Sequence, residues 1–585
     1  MNRKMRRAAQ KGGSRPVRAE QRPAADPTFI NAFLDEGWRL LAEGRDEEAM
    51  DLAVRVIRLA ETADTKTFFV ACVKRFSYFP GAETMMDVIV RALREPWAMP
   101  GELAGVVRGL LERDPVIEPA IGRAAQAWPQ RLALAELLGM DGLAAISTHP
   151  VLLAILETGK IIGTDLERFL TSLRAGLLDS LNNDPKRIDD NALRLCCALA
   201  RQCLANDYVF DVTPDEADRL VRLRERVNSA LASHARIAPA AVALIGAYAP
   251  LDAIATEALR GRSWPQALTN LLEEVAREAD AVRRHRKSIA RLTPITDGTS
   301  IAVAEQYEQH PYPRWTKLPV FGSPMVAEEW LAIHLPSRSE GAHLDILIAG
   351  CGTGHHSVLF AQGFPAARIL AVDLSLSSLC HAKEKSRVMG LDGIEYAQAD
   401  ILELGALDRR FDIVSSSGVL HHLADPRKGW RVLLSLLRPG GLMHVGLYSE
   451  LARRNIAKAR DHLAARGYRP SHDDIRRARQ ELAAAAAAEP TFDDVLRYPD
   501  FYATSECRDL LFHAQECDFT IPQIQSFLDE NSLRFLGFNA RPGMLEHFQN
   551  RFPGQSASDL NLWHLFEVEH PDTFKGMYEF WIKRR

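Results

Sequence analysis

Cysteine is scarce in this sequence: eight residues, at positions 72, 196, 197, 203, 351, 380, 507 and 517 of 585. No pair has the spacing of a zinc site, and so few in so long a chain make no disulfide framework, so a reducing compartment and no metal are expected. No run of eighteen apolar residues occurs, which leaves no candidate membrane helix. Charge of one sign is lacking too. The formal net charge is -4, so the molecule as a whole gives no reason to expect nucleic acid as a partner. The first 27 residues, "MNRKMRRAAQKGGSRPVRAEQRPAADP", are basic and polar without an apolar stretch. They read as a disordered, solubilising arm, neither signal peptide nor membrane anchor. The expectation is a cytoplasmic protein of two or three domains.

What is present divides at about residue 295. Residues 28–295 show apolar positions three and four apart, as in "DLERFLTSLRAGLLDSL" and "NALRLCCALARQCLAND", with Gly, Pro, Asn and Asp at the breaks. This predicts an α-helical solenoid or bundle, a surface suited to a protein partner. Its opening segment, with Trp38, Gly44 and "EEAMDLA", resembles a tetratricopeptide-type helical pair. Cys196, Cys197 and Cys203 fall on helical positions without histidine partners and read as core. Residues 296–335 form a strap or linker. In it "QHPYPRW" has two X-Pro steps that bias the backbone away from helix. From 336 to 585, short apolar runs alternate with helical segments, the pattern of an α/β domain, with extra helical segments at about 450–515 and 541–575.

The strongest local signal is "DILIAGCGTGHHSVLFAQGFPAARILAVDLS". A buried strand runs into Gly350, Gly352 and Gly354, which allow a tight turn and close approach of a ligand. Helix "HHSVLFAQGF" follows, and a second strand ends at Asp373, nineteen residues after Gly354. An acidic residue at that distance reaches ribose hydroxyls. Downstream stand "QADI", "FDIVSSSGVLHHLADP" and "LLRPGG". With "AGCGTG" and "VDLS" they make five motifs in order over about 340–450, and the block resembles a class I S-adenosylmethionine-dependent methyltransferase.

The resemblance implies a Rossmann-like seven-stranded domain that binds S-adenosylmethionine. Its turn, Gly350, Cys351, Gly352 and Gly354, would cradle the methionine part. Asp373 with Leu374 would hold the ribose, and Asp400 the adenine amino group between Ala399 and Ile401. Ser417, with Tyr307 and Arg314 of the strap, would complete the cofactor site. The family's acidic residue two positions before the first glycine is replaced by Ile348. His421, His422 and Glu450 are the candidates for acid–base work or for holding a cationic acceptor. His564, Glu567, Glu569 and His570 cluster in "NLWHLFEVEHPDTF" and read as substrate recognition or as a pin for the covering segment, not as a metal site. The helical half suggests methylation of N or O on a protein. A small-molecule acceptor and a noncatalytic cofactor-binding module remain the alternatives, and oligomeric state is not readable.

Overall fold

The computed structural model describes residues 27–183, 188–251, 253–313, 315, 317–318, 330–331, 333–335, 343–539 and 542–584. The basic arm, Arg314 and much of the strap lie outside these residues. In the first half, helices follow one another from Pro27–Ala42 to Gln266–His285. Helix Asp46–Leu59 shows how the sequence builds them. Asp46, Glu47 and Glu48 face the positive end of its dipole, while Ala49, Met50, Ala53, Val56 and Ile57 are buried at helical spacing. Helix Ala63–Val73 opens with a capping box on Thr62 and Thr65. One continuous core runs from Ile30 to Leu272 and contains Cys196, Cys197 and Cys203. Burial pushes the Cys197 thiol up to about 12, which leaves it a core side chain.

The second half is built on one eight-stranded sheet. Its strands are β1 (Ala290–Arg291), β2 (Asp345–Ala349), β3 (Arg368–Asp373), β4 (Ile394–Gln398), β5 (Phe411–Ser417), β6 (Leu437–Leu447), β7 (Leu533–Phe538) and β8 (Tyr578–Arg584). The order is β1-β4-β3-β2-β5-β6-β8-β7. The first six are parallel, and β8 inserts antiparallel between β6 and β7. This is the Rossmann-like arrangement expected, with β1 as an added edge strand. At two residues β1 carries no periodicity to read. It forms because the chain leaving the helical domain runs along β4, where Thr293 accepts the Asp400 N–H at 2.8 Å.

Both extra segments are helical. Helices within 454–512 share a small core, from Ile456 to Leu511, against which Ile162 of the helical domain packs. Arg479, 2 % exposed, joins the two by pairing with Glu167 at 2.6 Å and donating to the Phe501 carbonyl. Helices Pro542–Arg551 and Leu560–Glu569 instead join the core of the sheet, with Phe548 stacked on Trp563 at 4.0 Å. Glu567 accepts from the Ser449 and Tyr578 hydroxyls, pinning this segment to β8 and to the end of β6. Glu569 pairs with Arg551 on the surface instead. Among the described residues, no helix is long and apolar enough to cross a membrane.

Removing one partner of a buried pair strands the other charge. Glu167→Gln is therefore expected to destabilise the protein by about 3–5 kcal/mol in urea unfolding, and Glu167→Leu with Arg479→Met to recover most of it. A single-variant loss below about 1 kcal/mol would contradict a dry pair at this junction.

Candidate functional site

Parallel strands on either side of β2 leave a crevice at their carboxyl ends, the usual place for a ligand in an open α/β sheet. A cavity of about 570 Å³ occupies it. The glycine turn forms one wall. Gly352 has φ +52°, and a Cβ there would fall 2.5 Å from the Tyr312 carbonyl oxygen. Only glycine fits between the turn and the strap. The strap is latched here: Thr353 N–H donates to Tyr312 O at 3.2 Å, its hydroxyl donates to Pro313 O, and the Trp315 indole donates to Thr353 Oγ1 at 3.1 Å.

Asp373 stands at the end of β3. Its carboxylate accepts the Gly352 and Ser375 N–H groups at 2.7 and 2.9 Å, while burial raises its pKa. Asp400 is 1 % exposed. One of its oxygens accepts the Leu402 N–H at 2.9 Å, and the other is buried without a partner. An orphaned acceptor on a cavity wall suits a ligand amino group. Cys351, Leu374, Ala399, Ile401 and Ser417 also line the cavity. Gly354, outside the lining, caps helix His355–Gly363. Residues that fit a nucleoside with vicinal hydroxyls and an exocyclic amine are thus gathered at one end.

The other end is built for protons. Tyr307 lines the cavity, and its hydroxyl donates to Asp509 at 2.6 Å and lies 3.1 Å from His513 Nε2. His513 stacks on His422, ring centroids 3.7 Å apart. Both backbone groups of Gln515 set the tautomers of this pair. Its carbonyl takes the proton of His422 Nδ1 at 2.9 Å, and its N–H donates to His513 Nδ1 at 3.0 Å. His422, on the cavity wall, is left with an unprotonated Nε2. Burial lowers the pKa of His422 and His513 to about 4, so both rings are neutral near pH 7.

Two expected residues fall elsewhere. Strand β6 ends at Leu447; Tyr448 then lines the cavity, Ser449 turns toward Glu567, and Glu450 is exposed to solvent. Glu450 is therefore not placed to hold an acceptor. The tight turn Leu420–His422 sends His421 against the Tyr448 ring at 3.9 Å, away from the cavity wall, with neither ring nitrogen hydrogen-bonded. The structure adds residues no motif marked: Asp509, His513 and Gln515 from the first extra segment, and Glu579 from β8, which accepts from Ser417 Oγ at 3.1 Å. The i, i+4 pair Asp509 and His513 in "CRDLLFHAQ" was the one local hint.

The family model described as "Methyltransferase domain" matches residues 346–441. An uncharacterized protein of Synechococcus sp. is 28% identical over 329 residues, covering 52% of this chain and 76% of its own length. Trans-aconitate 2-methyltransferase of Deinococcus radiodurans is 33% identical over 111 residues, 19% of this chain and 39% of that protein. Among solved structures, PKMT2 of Rickettsia typhi in complex with AdoHcy matches with a TM-score of 0.33 and 18% identity, over 41% of this chain and 48% of that one. The chain thus spans less than half the length of each of the last two. Residues 346–441 thus match a methyltransferase domain.

Several imidazoles are held neutral in this region, His356 at about 3 and His444 at about 4 as well as His422 and His513. An unfolded chain binds those protons near pH 6.5. Stability is thus fully present above about pH 6.5 and lost as pH falls toward 4. Melting temperature followed from pH 7.5 to 4.5 is expected to fall, less steeply in His444→Gln. A flat profile would contradict neutral burial.

Proposed function

We propose that this chain moves the methyl group of S-adenosylmethionine to a nucleophilic nitrogen or oxygen of a small molecule. One observation carries the reading: a single cavity of about 570 Å³ holds the Asp373 and Asp400 end together with the His422 and Asp509 end. That volume is within the range of about 300–1,000 Å³ for sites that engulf a small ligand. The cofactor supplies a methyl carbon already activated by its sulfonium. What the protein has to add is alignment, exclusion of water and a place for the acceptor's proton. Asp373 accepts ribose hydroxyls, and the unpartnered Asp400 oxygen accepts the adenine amine. Tyr307 and Tyr312 close the strap side, and His422 Nε2 offers the methyl acceptor a hydrogen-bond acceptor. A pure binding module would have no use for a buried imidazole with its tautomer fixed. The name of the Deinococcus relative, with its small acceptor, supports the same class.

A protein acceptor is the second reading, favoured by one feature. A groove of about 1480 Å³ between Lys74 and Arg75 of the helical domain and Met544 and His547 of the second extra segment meets the cavity at Asn539, Met577 and Glu579. The repeat-like helices would then serve as the partner surface.

Calorimetric titration with S-adenosylhomocysteine tests the shared premise. Saturable binding is expected, weakened about ten- to a hundredfold in Asp373→Ala, the equivalent of losing a charged hydrogen bond. A labelled-methyl screen then compares metabolite and protein fractions. Absence of binding by a folded protein would sink the proposal, and label appearing only in protein would select the second reading.

A further inference from the structure

We propose that the methyl acceptor is an amine that enters as an ammonium ion held by Asp509. This rests on the methyltransferase reading above and names the acceptor class for that cavity. Asp373, Asp400, Asp509 and Glu579 line the cavity, and among the described residues no lysine or arginine does. Asp373 and Asp400 belong to the nucleoside end, and Glu579 is bonded to Ser417. Asp509 is different. It is 4 % exposed, accepts the Tyr307 hydroxyl at 2.6 Å, and has only the neutral His513 ring, at 3.6 Å, where an ion-pair partner would stand among the described residues. A carboxylate buried beside neutral rings is costly unless a cation reaches it.

The surroundings select the kind of cation. A chain of rings, Tyr312, Tyr307, His513, His422 and Tyr448, with successive centroids 6.3, 6.0, 3.7 and 6.0 Å apart, shares the cavity region with Asp509, which touches Tyr307 and His513 directly. Aromatic walls favour an organic cation over a hydrated one. The Tyr448 ring is covered by Arg453 at 3.7 Å and by His421 at 3.9 Å. An ammonium held by Asp509 also meets the unprotonated His422 Nε2, which stands in the same compact group. The group of His422, Asp509 and His513 is also compact enough to suggest a metal ion. The Gln515 N–H argues otherwise. By occupying His513 Nδ1 it places the ring proton on Nε2, which then donates and cannot ligate.

A second chamber of about 400 Å³ fits the same traffic. It shares Tyr312 and Pro313 with the cavity and is lined by Glu102, Glu157, Glu274, Glu278, Asp500 and Glu506 against four lysines and arginines. Tyr312 links the two spaces by donating to Asp500 at 3.2 Å. The balance of the step is simple. R–NH₃⁺ gives one proton to water, leaving a neutral amine. The nitrogen lone pair bonds to the methyl carbon as the carbon–sulfur bond breaks with its electron pair to sulfur. R–NH₂⁺–CH₃ and S-adenosylhomocysteine result.

The test uses the full chain saturated with S-adenosylhomocysteine, titrated calorimetrically with n-butylammonium and with n-butanol as its neutral counterpart. Butylammonium is expected to bind at least tenfold tighter than butanol, a contrast that needs no variant. Asp509→Asn is expected to remove that preference while changing S-adenosylhomocysteine affinity less than threefold. Equal binding of the two probes would overturn the proposal. So would Asp509→Asn weakening S-adenosylmethionine far more than its demethylated product, which would assign the carboxylate to the cofactor's sulfonium. Stoichiometric Zn²⁺ binding lost in both Asp509→Asn and His422→Gln would replace the ammonium with a metal. If S-adenosylhomocysteine itself does not bind, the methyltransferase reading fails and this one with it.

Discussion

Thr353 binds the strap to the glycine turn. Its N–H and hydroxyl donate to the carbonyls of Tyr312 and Pro313 and its carbonyl accepts from Trp315, beside a glycine that has no room for a side chain. The contact holds Tyr312 over the crevice, while Ser375 holds Tyr307 by donating to its carbonyl at 3.0 Å. The strap also ties the sheet to the helical domain, because Lys317, two residues on from Trp315, donates to the carbonyls of Ala92, Leu93 and Glu95. Those carbonyls end helix Met86–Arg94, where a helix dipole favours a cation.

The helical domain also reaches the chemistry from the opposite side. Helix Thr504–Phe512, which carries Asp509, begins against Asp207. That side chain accepts from Ser505, and its carbonyl accepts from Thr504 at 2.8 Å. The neighbouring helices are fixed by the Arg479 and Glu167 pair, and Glu506 by Lys160. Asp509 is thus positioned by contacts outside the sheet. The cavity wall at Asp373 and Asp400, by contrast, is built almost wholly from strand ends and the turns between them.

That contrast governs what could be read from the sequence. The glycine turn, Asp373 and Asp400 were legible because their chemistry needs fixed spacing along one chain segment, and the strand and helix periodicities around them agree. The β8 insertion was legible as a pattern at the carboxyl end. Asp509, Gln515 and Glu579 were not, since each acts through a partner far away in sequence and stands in no motif. Strand alternation would put Glu450 on the same face as Tyr448, but the chain turns at residue 450, just after β6, and its side chain reaches solvent. His421 and His422 looked equivalent in sequence. The tight turn they share sends one ring to Tyr448 and the other to the cavity.

The Tyr307–Asp509 hydrogen bond joins residues 202 positions apart. Closing a flexible loop of that length costs about 5 kcal/mol of chain entropy, against about 1.5–3 kcal/mol for a hydrogen bond to a charged group. The bond therefore cannot bring its two segments together; it forms only after the sheet, the strap and the first extra segment are already docked. It is a consequence of their docking and not its cause.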